Sequence, residues 1–404
     1  MNTPHAGVAL AAFRLDDPEL VESGDPGGML RQVASSAAQV RTALRACEEA
    51  DLSALLQGRR PRAIVTAGAG GSVFAGDVLA AISGPGSPVQ VTGVSGYQLP
   101  GWVGAADLVI AVSRSGHTAE VLALAADAAR RGCELAAVGA PGSPLQQLAL
   151  AARGAFVPVT SGGPARCTPW ALAIPLLVIA SRLGVARVEP DVYESAAAAM
   201  EDISHQCRPS SESFVNPGKS LALDLVGTLP LIWGGSPLAT VAARRFASQL
   251  AANAKYPSLP GVLPDAGHDQ VAAFDGPFAP APEPDFPAAE NFDDASFGEL
   301  SPADVGELAD GQENPALLRL VLLADQGGEH SAVTRARQGA AALAAARGIE
   351  VSEIAMEGTE PLLRLAGIVQ LLDYASVYLG IACGIDPLAI AAIKDLRDLT
   401  EPPV

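Results

Sequence analysis

One short loop, Ser113-Arg114-Ser115-Gly116-His117-Thr118, carries the residues best suited to bind a ligand. The loop follows an apolar run at 108–112, which predicts a buried strand, and precedes a predicted helix at 119–131. Backbone N–H groups and the positive end of the helix dipole favour an anion at such a place, and hydroxyl groups add donors for phosphate oxygens. The loop contains no lysine, so it differs from a nucleotide P-loop and suits the phosphate of a small molecule. The residues expected to bind phosphate here are Ser113, Ser115 and Thr118.

A second segment, Gly68-Ala69-Gly70-Gly71-Ser72, also lies between a predicted strand and a predicted helix. A dinucleotide fingerprint would place a third glycine at position 73, where this chain has Val73, and a carboxylate near the end of the next strand, residues 89–92, which is absent. The glycines therefore indicate close approach of the backbone to a small ligand. Both segments follow neighbouring strands, so one ligand could touch both. The additional residues expected at the phosphate are Gly70, Gly71 and Ser72.

The elements around these segments predict an α/β fold, because Val- and Ile-rich strands alternate with helices along the chain. The order repeats in the second half, where a strand ends in Gly234-Gly235-Ser236 and a later strand ends in the segment 324–331. We expect two tandem domains. The predicted division is an N-terminal arm and helix at 1–56, a first domain at 57–190, a linker helix at 191–209 and a second domain at 210–404 with an acidic insertion at 279–312.

Composition limits the partners and the compartment. The chain has 404 residues, 26 Lys and Arg against 44 Asp and Glu, and a formal charge of −18, which disfavours nucleic acid and anionic membrane. Its five cysteines are scattered without the spacing of a zinc site or a disulfide framework. The N-terminus lacks the basic region of a signal peptide, and the apolar run at 171–180 is too short to span a membrane. We expect a cytoplasmic protein with reduced thiols.

Several segments, in their order along the chain, resemble the sugar isomerase (SIS) superfamily, and specifically its bifunctional phosphoglucose/phosphomannose isomerases. Residues 68–77 are similar to that family's GMGGSGIAGD segment, and residues 113–120 are similar to its SYSGNTxE segment. Further similar segments are Pro164-Ala165-Arg166 to a Pro-x-Arg motif, Asn253-Ala254-Lys255 to the end of the NENAK helix, and residues 373–379 with 384–387 to the closing DxxSxYLA and GxDP segments.

The resemblance implies two SIS-type three-layer αβα domains with parallel sheets and a ligand between them. It implies interconversion of glucose 6-phosphate or mannose 6-phosphate with fructose 6-phosphate through an enediol, without a metal or a nucleotide. It also implies a homodimer, whose subunits share site residues. Such chemistry requires a base that moves a proton between C1 and C2, and a cation or donor near the developing enediolate oxygen. Arg166 is the expected cation.

The sequence departs from the family at the catalytic base. That base is the last residue of a PExNHNE-like motif, and the corresponding stretch here is Pro264-Asp265-Ala266-Gly267-His268-Asp269-Gln270. Gln270 stands where the glutamate should be, and an amide does not accept a proton near neutral pH. The lysine of the family's closing IxxLK motif is matched by Arg397 or displaced to Lys394. The family also carries a ring-opening histidine beyond the base, and the only histidine beyond Gln270 in this sequence is His330.

Three hypotheses follow from this departure. Asp269 or Asp265 replaces the base from a shifted position. Alternatively, His268 acts as the base or opens the sugar ring, which its usual pKa would allow. In the third hypothesis the protein binds phosphosugars in a regulatory role and no longer isomerises them.

Overall fold

The computed structural model describes residues 4–56, 60–280 and 317–400, so the predicted acidic insertion lies almost wholly outside the described residues. The strands are β1 Ala63–Gly68, β2 Gln90–Val94, β3 Leu108–Ser113, β4 Glu134–Gly139, β5 Ala155–Pro158, β6 Thr228–Gly234, β7 Leu259–Val262, β8 Leu317–Ala324 and β9 Glu350–Ala355. The helices are α1 Pro4–Asp16, α2 Pro18–Gly24, α3 Met29–Ala34, α4 Ser36–Glu49, α5 Ser53–Leu56, α6 Val73–Ser83, α7 Ala119–Arg130, α8 Pro144–Ala151, α9 Pro169–Arg182, α10 Pro190–Gln206, α11 Pro217–Leu225, α12 Pro237–Gln249, α13 Ser331–Ala346, α14 Pro361–Ala382 and α15 Ala391–Thr400.

The first sheet contains five parallel strands in the order β2-β1-β3-β4-β5. Alternate residues of β1 enter different cores: Ile64 packs with the helices on one face, and Val65 packs with those on the other. Because both faces are covered, the central strands read as continuous apolar runs. The predicted α/β fold with parallel sheets is confirmed.

The second sheet contains four parallel strands in the order β7-β6-β8-β9, which repeats the order at the start of the first sheet. Helix α12 follows β6, and helix α13 follows β8, as α6 and α7 follow β1 and β3. One large core, which includes Trp170, Phe246 and Tyr378, joins residues of both halves. A shared helical layer therefore holds the two sheets together.

Helix α14 is the longest element of that shared layer. It is long and apolar enough to cross a membrane, but 89% of its most apolar window is buried inside the protein. Tyr374, Tyr378 and Leu379 are all at most 2% exposed. The helix is therefore accounted for as a core element of the fold.

The N-terminus differs from the expected arm, because residues 4–24 form the helices α1 and α2. Pro18 occupies the first turn of α2, where its missing N–H costs nothing, and the Asp17 carboxylate caps that helix. Leu15 is fully buried, and Arg14 donates a hydrogen bond to the carbonyl of Ala382 at the end of α14. The rest of the predicted arm and helix, residues 29–56, forms three helices, α3 to α5.

Candidate functional site

The ends of β1 and β3 form the crevice in which a ligand is expected. Helix α6 leaves β1 toward one face of the sheet, where Val78 and Leu79 are buried, and α7 leaves β3 toward the other face, where Val121 and Leu124 are buried. The chain thus reverses its direction of winding between these two strands. In open parallel sheets, such a switch point is the place where ligands bind outside the carboxyl ends of the strands.

The loop at 113–118 lies on one side of this crevice. The Ser113 hydroxyl lies 2.8 Å from the Thr118 hydroxyl and accepts a hydrogen bond from Gly116 N at 3.0 Å. Ser113 is buried, whereas Ser115 is exposed. Thr118 is the N-cap residue of α7, but its side chain makes no capping hydrogen bond. The first N–H groups of α7 are therefore open to an external acceptor such as a phosphate oxygen.

Gly116 is required by the conformation of this loop. Its φ of +71° lies in the left-handed region, and a Cβ placed there would lie 2.1 Å from Ser143 Oγ and 2.3 Å from Ser143 Cβ. The loop can thus pack against the start of α8 only with a glycine at this position.

The Gly-Gly-Ser turn at 70–72 faces the segment that contains Arg166. Gly70 has a φ of +53°, and a Cβ on Gly71 would lie 3.0 Å from Arg166 N. Ser72 is only 5% exposed and begins α6 without making a capping hydrogen bond. The fold therefore brings the turn and the Pro-x-Arg segment together, although about 90 residues separate them along the chain.

The Arg166 guanidinium reaches from the first half of the chain into the second. Its Nε donates to Asn253 Oδ1 at 3.1 Å, and its Nη2 donates to the carbonyl oxygens of Pro387 and Leu388 at 3.2 Å each. Burial lowers the pKa of this guanidinium, which nevertheless remains a cation at neutral pH. Nη1 has no hydrogen-bond partner in the described parts of the chain, while Nε and Nη2 tie the two halves together.

Arg245 holds the backbone of Arg166 and was not found from the sequence. Its Nη2 donates to the Arg166 carbonyl at 3.0 Å and to Asp373 Oδ2 at 2.6 Å, and its guanidinium lies 4.6 Å from the Phe74 ring centroid. Both members of the ion pair are nearly inaccessible to solvent, and burial raises the pKa of Asp373. The sequence did mark Asp373, because it is the first residue of the segment 373–379 that resembles the DxxSxYLA motif. Nothing in the sequence indicated that Arg245 would be its partner.

Gln270 lies in a polar cavity of about 180 Å³ in the second half. Its Oε1 accepts a hydrogen bond from Trp233 Nε1 at 2.8 Å, and its Nε2 donates to the Pro260 carbonyl at 3.2 Å. The amide thus satisfies one donor and one acceptor at once, which a carboxylate would not do. Asp265, Asp269 and Arg244 line the same cavity.

The other residues considered from the sequence occupy exposed positions. His268, Asp265 and Asp269 are exposed in the turn before Gln270, and Asp269 accepts a hydrogen bond from Gln270 N. Arg397 and Lys394 lie on α15, where every residue from 391 to 400 is exposed. His330 is also exposed, and its Nδ1 accepts a hydrogen bond from Ala332 N at the start of α13.

A family comparison assigns the second half. Residues 214–399 match the model of the bacterial phospho-glucose isomerase C-terminal SIS domain. The resemblance to the sugar isomerase superfamily is confirmed. The SIS match includes Gln270, Arg245 and Asp373, and it ends within the exposed helix α15.

Relatives of known name support the same assignment. The chain is 29% identical over 214 residues to a bifunctional phosphoglucose/phosphomannose isomerase from Caldicellulosiruptor bescii, covering 53% of this chain and 63% of that protein. It is 27% identical over 184 residues to the enzyme of the same name from Aquifex aeolicus, covering 46% and 53%. The matched stretches thus span less than two thirds of either relative. Over these stretches the chain is similar to sugar-phosphate isomerases.

A solved structure extends the likeness in fold to nearly the whole chain. A glucose-6-phosphate isomerase from Chlamydia trachomatis superposes with a TM-score of 0.65 and 13% identity, covering 98% of this chain and 84% of that one. At this level of identity the likeness shows the fold alone.

Proposed function

We propose that this protein is an aldose–ketose isomerase that interconverts glucose 6-phosphate or mannose 6-phosphate with fructose 6-phosphate. The observation that carries the proposal is the position of the uncapped, hydroxyl-rich loop 113–118 at the switch point of the first sheet, where the Gly-Gly-Ser turn follows the neighbouring strand β1. The loop supplies two kinds of donor, hydroxyls and the backbone N–H groups at the α7 N-terminus. This combination suits a phosphate monoester in a protein whose overall charge is strongly negative.

The reaction in this proposal needs a base at the carbon end of the bound sugar. The base removes the C2 proton of the open aldose, the electron pair forms the C1–C2 double bond, and the C1 oxygen is protonated to give the enediol. The O2 proton then leaves, the C2 carbonyl forms, and the base returns a proton to C1. Asp265 and Asp269 are the proposed acceptors, because both line the cavity that contains Gln270, and Arg166 is the proposed cation for the oxygen charge.

The decisive experiment follows exchange of the C2 proton. Purified protein is incubated with glucose 6-phosphate in deuterium oxide, and incorporation of deuterium is followed by NMR beside the appearance of fructose 6-phosphate. An isomerase gives both signals above the protein-free control. If neither signal appears with glucose 6-phosphate or mannose 6-phosphate, the proposal is wrong.

A regulatory phosphosugar-binding role is the second candidate, and the engaged amide of Gln270 favours it. Both ends of the amide are hydrogen-bonded, so the position is used for structure. This alternative expects binding without exchange. In that case Gln270→Glu, which keeps the acceptor for Trp233 and restores a carboxylate, should produce exchange where the parent has none. If Gln270→Glu also shows no exchange of the C2 proton, position 270 lies out of reach of C2.

The proposal also covers the oligomeric state and the cellular compartment of the protein. We propose a cytoplasmic homodimer, on the basis of the family resemblance and of five cysteines that lack the spacing of a disulfide framework. Sedimentation at several protein concentrations tests the dimer. A mass equal to one chain throughout would contradict it.

A further inference from the structure

A second cavity, of about 170 Å³, opens beside Ser72 between the carboxyl ends of β1 and β2 and the first turns of α6. It is separate from the cavity that contains Gln270. Three glycines, Gly68, Gly76 and Gly93, line it. Its polar lining residues are Thr66, Ser72, Asp77 and Ser95.

Helix α6 is held unusually close to β1 next to this cavity. A Cβ on Gly76 would lie 2.1 Å from Thr66 Oγ1, so only a glycine permits the observed contact between helix and strand. The next residue, Asp77, is thereby brought to the cavity wall. The close packing thus places a carboxylate one turn of helix beyond the Gly-Gly-Ser turn.

The Asp77 carboxylate is free to bind a ligand. It is partly buried, and within the described ranges it receives no hydrogen bond from backbone or side chains. Burial raises the pKa of Asp77, and the charge of Arg244 on α12 opposes that shift. A carboxylate accepts hydrogen bonds at both oxygens, and hydroxyl groups are suitable donors for it.

Arg244, on α12, is the nearby cation that acts on Asp77. It lines the cavity of Gln270, and its charge acts on Asp77 in the cavity beside Ser72. The cation therefore favours the charged form of Asp77, which accepts hydrogen bonds.

We propose that the cavity beside Ser72 is the subsite for the hydroxyl-bearing carbon chain of a phosphosugar, and that Asp77 accepts hydrogen bonds from its hydroxyls. The proposal rests on the proposed function for the identity of the ligand. It does not depend on isomerisation. From Val73 to Asp77 the helix rises by about 6 Å, which an open six-carbon chain can span while its phosphate stays at the loop.

The test compares two ligands that share the anion and differ in the carbon chain. Binding of glucitol 6-phosphate, which cannot isomerise, and of inorganic phosphate is measured by calorimetry. We expect Asp77→Ala to weaken glucitol 6-phosphate binding about tenfold or more, because hydrogen bonds to a charged acceptor are lost. Phosphate binding should change less than about twofold. Asp202→Ala, on the exposed face of α10, is the matched control and should change neither.

A second variant fills the cavity without touching the carboxylate. Gly93 lies on β2 at the cavity wall, and a Cβ there makes only an ordinary 3.6 Å contact with Thr66 Oγ1, so Gly93→Val should fold and reduce glucitol 6-phosphate binding as Asp77→Ala does. If both variants bind glucitol 6-phosphate like the parent, or lose phosphate binding to the same extent, the subsite is excluded. Failure of the isomerase proposal is recognised separately, by a parent protein that binds glucitol 6-phosphate but exchanges no C2 proton.

Discussion

The two switch points of this molecule have the same topology and different contents. Between β1 and β3, the loop 113–118 contains no carboxylate, and Thr118 leaves the first N–H groups of α7 without a side-chain cap. Between β6 and β8, the Ser236 hydroxyl donates to Asp325 Oδ2 at 2.6 Å, and Arg364 Nε donates to Asp325 Oδ1 at 2.7 Å. Asp325 is fully buried.

The second switch point is thus filled by an anion that the protein itself supplies. Ser236 also caps α12 by accepting a hydrogen bond from Ala239 N, whereas Ser72 makes no such cap on α6. Farther along the second loop, Glu329 is buried with Arg337 at 3.2 Å. The comparison teaches that a crevice built for an anion can bind a ligand or stabilise the fold, depending on whether a carboxylate side chain already occupies it.

The largest loss of stability should come from removing the Asp325 carboxylate from the second switch point. Asp325→Ala leaves the Arg364 guanidinium buried without its carboxylate, although Arg364 keeps its hydrogen bond to the Thr359 carbonyl. We expect the free energy of unfolding to fall by about 3–5 kcal/mol. Denaturant titration measures it, with Ser115→Ala at the open switch point as a control that should change stability by less than about 0.5 kcal/mol. Equal losses of stability in the two variants would contradict the proposed difference between the two switch points.

Substitutions at the open switch point, the loop 113–118, should weaken ligand binding. Replacing Ser115 and Thr118 together with alanine removes two hydroxyl donors to a charged phosphate, so affinity for glucose 6-phosphate should fall about a hundredfold. Thermal stabilisation by the ligand, or calorimetry, reports the loss. Ser331→Ala, in the corresponding loop of the second half, should leave binding unchanged. Retained binding in the double variant would place the phosphate elsewhere.

A smaller effect is expected from the glycine that shapes the open loop. Gly116→Ala combines a left-handed backbone with a clash against Ser143, so unfolding should become easier by about 2 kcal/mol. Gly227→Ala is the matched control, since Gly227 has a similar φ of +76° with nothing within 4 Å of the added Cβ, and it should cost about 1 kcal/mol. Thermal melts compare the two. A control that is as harmful as Gly116→Ala would show that backbone strain alone matters.

The smallest expected effect is on the pH dependence of stability, and it comes from an ion pair at the amino ends of β1 and β3. Arg62 Nη2 donates to Asp107 Oδ2 at 2.6 Å, and this hydrogen bond holds the pKa of Asp107 below its usual value. Because the folded pKa is the lower one, the stability contributed by the pair is present above about pH 4 and is lost as the pH falls through the folded pKa. The difference in Tm between the parent and Arg62→Gln should therefore shrink on acidification. A difference that stays constant from pH 7 to pH 3 would contradict this.

Much of the fold and part of the site could be predicted from the sequence. Apolar runs such as 108–112 indicate buried parallel strands, and a loop of hydroxyls and glycine between strand and helix indicates an anion site. The N-terminal helices were missed, because the Gly, Pro and Asp of that region are typical of arms and also of helix caps. The pairing of Arg245 with Asp373, 128 residues apart, carries no local signal at all.

The sequence by itself therefore determined the class of the fold, its duplication and the residue types available to a phosphate. These properties follow from short-range periodicity and from local turn chemistry. Only the tertiary structure decided that the first crevice is open while Asp325 fills the second, that Gln270 is engaged by Trp233, and that Asp77 lies at a cavity wall. Each of these depends on contacts between residues distant in the chain, which packing fixes and local pattern does not encode.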